Sequence, residues 1–93
     1  MPPLLFEIWQ NPEDNSFEMG RVSDRGDEQR RRIAPQAVLL HSFFAASDFE
    51  ALQMNHDWHG WGAWRPEPSW QEQFFTEDEA LEQERYLATR NAG

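Results

Sequence analysis

Between Ser47 and Gly60 the chain spells out one complete helix, with its start and its stop. Ser47-Asp48-Phe49-Glu50 is a capping box: the Ser47 hydroxyl can accept from the Glu50 N–H, and the Glu50 carboxylate can reach back to Ser47. Gly60 can take the left-handed conformation that ends a helix. A helix to His59 is therefore predicted. Its end runs into His56-Asp57-Trp58-His59-Gly60-Trp61-Gly62-Ala63-Trp64-Arg65-Pro66, which holds three of the five tryptophans and two of the three histidines. Tryptophan is large enough to dominate a small core or an interface.

The rest of the fold is read around that helix. Leu4 to Gln10 alternates as a strand, with Leu4, Phe6 and Ile8 on one side and Leu5, Glu7 and Trp9 on the other. Asn11-Pro12-Glu13-Asp14-Asn15 is turn chemistry. Ser16 to Val22 follows as a second strand, which makes an antiparallel hairpin. A short helix is expected from about Asp27 to Ile33, weakened at its start by Gly26 and ended by Pro35. Ala37 to Ala45 is apolar on both faces, the pattern of a strand covered on both sides, so it is placed centrally. Thr76-Glu77-Asp78-Glu79 is a second capping box, with Phe75 positioned to staple against Ala80. That helix is expected to reach about Arg90 and to pack through Ala80, Leu81, Leu87 and Ala88 alone. The segment from Trp70 to Phe75 fits no element clearly.

The predicted order is β-β-α-β-α-α: a small α+β single domain over residues 1–93, with a three-stranded, mainly antiparallel sheet. Residues 1–66 form its core and 67–93 a C-terminal helical extension. At 93 residues the chain buries only part of its surface, and its 14% aromatic content offsets this with large side chains.

Composition narrows the function classes. There is no cysteine, so disulfide scaffolds and thiolate sites are excluded, and the expectation leans to the cytoplasm. No signal peptide is read at the N-terminus and no apolar run nears the roughly 18 residues of a membrane span. A net charge of -9 argues against binding nucleic acid or an anionic membrane. Residues 47–93 carry -7 of it, which suits solubility or a basic partner. Arg30-Arg31-Arg32 is the only basic run, and on a helix it projects three ways.

Few residues carry catalytic chemistry. His56 and His59 lie three apart on the predicted helix, and His41 is a possible third ligand, but zinc sites take three or four protein ligands in set geometry. These histidines fit hydrogen-bonding residues beside an apolar face at least as well. No serine sits in a G-x-S-x-G setting, Ser47 and Thr76 already have capping roles, and the five glycines form no phosphate loop. The exposed acids from Glu77 to Glu84 read as a solvated helix face.

The Phe-Glu-Ile-Trp strand, the hairpin, and Ser-Asp-Phe-Glu-Ala-Leu leading into Trp-His-Gly-Trp-Gly-Ala-Trp-Arg-Pro resemble a group of small uncharacterised bacterial proteins. Those open on a similar strand and end a helix in a Gly-Trp-x-x-aromatic-x-Pro turn. The likeness covers residues 5–66. It implies a fold and no activity, and His56 and His59 lie outside its pattern.

The expectation is a non-enzymatic protein-interaction module without cofactor, which meets an unidentified protein partner through Trp58, Trp61, Trp64 and Arg65 together with an exposed sheet edge. The competing reading packs Trp58 in the core, with Trp61 and Trp64 locking the loop over the sheet, and the need of a short chain for core area favours it. Self-association as a homodimer is a possible outcome of the same surface. Two alternatives stand beside it: an acidic inhibitor or nucleic-acid mimic for a basic groove, and a metal-dependent enzyme using His41, His56 and His59.

Overall fold

The computed structural model describes residues 2–92. The chain forms β1 (Leu4–Asn11), β2 (Ser16–Arg21), α1 (Asp24–Ile33), β3 (Val38–Ala45), α2 (Asp48–His59) and α3 (Glu77–Ala92). This is the α+β arrangement with the β-β-α-β-α-α order that the sequence predicts. The three strands form one sheet in the order β2-β1-β3, antiparallel throughout.

The central strand is β1, and β3 is an edge; the expectation that β3 runs centrally is corrected. The short turn after Asn11 commits one side of β1 to β2, which leaves its other side for β3. In the turn, Asn15 takes a left-handed conformation (φ 59) and returns its N–H to the Asn11 carbonyl at 2.8 Å. Apolar residues occur on both faces of β3, yet only Phe43 and Ala45 are buried. Between Ile8 and Trp9 the register shifts, with His41 opposite Ile8 and Leu39 opposite Trp9, so Leu40 is an extra residue, a β-bulge.

One sheet face carries the apolar core. Leu4, Phe6, Ile8, Phe43 and Ala45 meet Ala51 of α2 and Phe75, with Met19, Met54 and Ala80 packed around them. Phe6 stacks on Phe43 at 5.7 Å and lies 5.9 Å from Phe75. The Phe75–Ala80 pair thus sits where a hydrophobic staple belongs. The Thr76 box forms in full: Thr76 donates its N–H to Glu79 at 3.1 Å, and Glu79 returns its own to the Thr76 hydroxyl at 3.2 Å. At α2 the Glu50 N–H reaches Ser47 at 3.1 Å, but the Glu50 carboxylate takes the Ala46 N–H instead of that of Ser47.

The opposite face of β1 carries Leu5, Glu7 and Trp9, and there α1 and α3 dock around the Glu7 carboxylate. Arg90 of α3 grips buried Glu7 through two nitrogens at 2.8 and 3.0 Å. It also reaches buried Asp27 of α1, with Nε 3.0 Å from Oδ2. Arg30 donates to Asp27 at 2.9 Å while its guanidinium lies 3.7 Å over the Trp9 ring. The Tyr86 hydroxyl donates to the same Asp27 carboxylate. Burial pushes the Asp27 carboxyl up, but Tyr86, Arg30 and Arg90 outweigh it and hold it below its ordinary 3.8.

α3 therefore does not rest on its apolar stripe alone. Leu81 and Ala88 are exposed, whereas buried Gln83 does structural work. Past the end of β2, its side chain accepts the Leu5 N–H at 2.8 Å and donates to the Leu5 and Val22 carbonyls, each at 3.0 Å. A side-chain amide thus stands where a strand would, as buried backbone groups need partners. Helix α1 starts at Asp24, earlier than expected, because Ser23 caps it by accepting the Gly26 N–H at 2.9 Å. Such a cap is worth about 1 kcal/mol, similar to the cost of the glycine.

Arg90→Ala leaves two buried carboxylates without their shared cation. It should lower unfolding free energy by about 3 kcal/mol in urea melts, whereas Arg32→Ala, which removes only the exposed pair with Glu28, should change it by less than about 0.5 kcal/mol.

Candidate interaction surface

The C-terminus of α2 ends as its residues dictate. Gly60 is left-handed (φ 74), its N–H reaches the Asp57 carbonyl at 3.2 Å, and the Trp61 N–H reaches the His56 carbonyl at 2.9 Å. These two bonds are a Schellman motif, which only a residue tolerant of positive φ closes without strain. The motif turns the chain back on itself and lays Trp61 against the last turn of α2.

There the aromatic rings form a continuous chain. Trp61 stacks on His59 at 3.9 Å with an interplanar angle of 6°, and stands edge-on to His56 at 5.4 Å. His59 in turn meets Phe17 of β2 at 4.7 Å and Trp58 at 4.9 Å. Trp58 stacks on His41 of β3 at 5.5 Å. The end of α2 thus spans the sheet, with one contact on each edge strand. The outer faces of this chain stay open: Trp61 is 56% exposed, Phe17 45% and Trp58 42%.

The residues expected at the site separate. Trp58 and Trp61 belong to the ring chain. Trp64 is half-buried, edge-on to Phe49 at 5.1 Å, and its backbone N–H donates to Gln53 at 2.9 Å. Gln53 thereby pins the post-helix loop to α2. Arg65 is exposed and makes no ion pair or cation–π contact among the described residues. His41 and Phe17 are additions. In the sequence His41 reads only as a possible third metal ligand, and Phe17 is one residue of the second strand with nothing to single it out. Their partners lie on α2 and beyond the reach of any local pattern.

The three histidines do not assemble a metal site. Among the described residues no three of His, Asp and Glu come together as a set able to hold an ion. Trp58 stands against both His41 and His59. His56 Nδ1 and His59 Nε2 are each buried without a hydrogen-bond partner. Burial, followed by the neighbouring His56, pulls the His59 imidazole below its ordinary 6.5. Two clefts, of about 140 Å³ beside Arg21, Val22, Glu79 and Tyr86 and of about 290 Å³ along Arg25, Glu28, Gln29 and Arg32, both fall below the ~300 Å³ at which typical ligand pockets begin.

The chain matches no family model, no curated protein and no solved structure. Any functional reading therefore rests on the geometry.

His59 carries a testable pH dependence. Its folded value lies below the unfolded one, so the unfolded chain binds the extra proton, and stability present above 6.5 is lost as pH falls through the folded value. The thermal midpoint should begin to drop as pH falls below 6.5, before the carboxylates titrate. His59→Gln should flatten that drop, as read by circular dichroism melts.

Proposed function

We propose that the protein is a non-enzymatic protein-interaction module and that the end of α2 is its contact surface. The observation that carries this reading is the exposure of Trp61, Trp58 and Phe17 side by side on a spine of histidine stacks. Large aromatics with one face packed and one face open lose little conformational freedom on binding, and they dominate binding energy at interfaces. Histidine rings behind them fix the indoles in place, which is preorganisation. Arg65, exposed just after the loop, would stand at the rim, and Trp64 would hold the loop rather than touch the partner.

The partner that suits such a surface is a protein with an apolar pocket or a cation to lay on an indole face. The acidic-mimic alternative differs in its salt dependence: binding through the acids of α3 would weaken steeply as salt screens them, and binding through the indoles would not.

The test compares wild type with Trp61→Ala in a capture experiment from the native host, followed by titration of the captured protein. Trp61→Ala should stay folded, with a stability change within about 1 kcal/mol, because more than half of the ring is already in water. It should weaken binding at least about tenfold, the usual loss for a central aromatic anchor. A captured protein that binds the variant as tightly as wild type would show that this surface is not the contact.

A further inference from the structure

We infer that the chain pairs with a second copy of itself along the open edge of β3, antiparallel and about a two-fold axis at Ser42. This surface lies on the sheet edge, apart from the Trp61 contact, and does not depend on the reading of that contact.

The backbone of β3 is the first argument. Leu5 gives its carbonyl to the Val22 N–H, so by antiparallel alternation Phe6 and Ile8 are the residues of β1 that bond to β3. They stand opposite Phe43 and His41. The N–H and C=O of Ser42 and Phe44 therefore point to the open side, and among the described residues no backbone or side-chain group meets them. A row of such groups is a template for another strand.

Side chains are the second argument. The open edge presents Val38, Leu39, Leu40 and Phe44, at 54%, 45%, 38% and 58% exposure. A two-fold axis at Ser42 sets Leu40 against the partner's Phe44, and Phe44 against the partner's Leu40. Both apolar side chains are thereby covered twice by one operation, the isologous pattern of closed dimers. The bulge at Leu40 bends the start of β3, and at its other end the Ala46 carbonyl takes the Phe75 N–H at 3.0 Å, so the free stretch between them is short and holds Ser42.

Charge is the third. From Ile33 to Ser47 the chain has no charged residue, although 27% of its residues are charged. Natural edges are commonly guarded by a lysine or a proline, and β3 has neither.

Sedimentation equilibrium tests this with wild type, Phe44→Lys, Ser42→Pro and Trp61→Ala. Wild type and Trp61→Ala should run with the mass of two chains. Phe44→Lys should run as one chain, since the lysine places two cations in the interface. Ser42→Pro should do the same, since it removes an N–H that points to the open side and is spared by the intramolecular ladder. Hydrogen exchange on wild type decides independently of any variant: the Ser42 and Phe44 amides should be protected at high concentration and lose protection on dilution. A wild type that stays one chain, or that grows without limit, overturns the proposal. So does a folded Phe44→Lys or Ser42→Pro that keeps the mass of two chains, or Ser42 and Phe44 amides that exchange at one rate across the dilution. Loss of pairing in Trp61→Ala would overturn it as well, by placing self-association at the end of α2.

Discussion

One cation, Arg90, ties the molecule together. It joins Glu7 on the central strand to Asp27 on α1, and it comes from the last turns of α3. Three elements distant in sequence thus meet at one guanidinium. The two carboxylates and the two arginines, Arg30 and Arg90, balance in charge, and Trp9 and Tyr86 supply the remaining donors. Burying an ion pair gains little over an apolar substitute, but each partner becomes expensive once it is left alone. The cluster therefore specifies how α1 and α3 sit on the sheet more than it adds stability. Gln83 continues the same logic by satisfying the backbone where β2 stops.

With that face filled by polar contacts, the other face must hold the apolar core. It is small, with α2 crossing it and Phe75 closing one end. Little apolar area remains to cover the far end of α2 or the edge of β3. The aromatic spine results from this shortage: the rings at the end of α2 bury one face on a histidine or on a strand and leave the other in water. The same shortage leaves β3 uncovered. A 93-residue chain has too few elements to close both sides of a three-stranded sheet and both of its edges.

Much of the fold could be read locally. The Ser47 and Thr76 capping boxes, the glycine at position 60 and the turn after Asn11 each place an element boundary through contacts within a few residues. Element order and sheet size follow from them. The aromatic surface was legible as a segment but not as a set of roles. Trp58, Trp61 and Trp64 look alike in sequence, and only the Schellman turn and the Phe49 ring decide that Trp61 is presented while Trp64 is held. The spacing of His56 and His59 shows that they are near each other but not what surrounds their rings; in the fold Trp58 stands against both His59 and His41, the suggested third ligand.

By itself the sequence determined the secondary structure, its order and the clustering of aromatics at one helix end, since caps, turns and alternation act over short distances. The tertiary structure alone decided that β1 and not β3 is central, that Glu7 and Asp27 share Arg90, and that the histidines are ring supports. Those outcomes depend on which surfaces meet after the chain has crossed from one element to another. An apolar strand reads the same whether a helix covers it or its edge stands open.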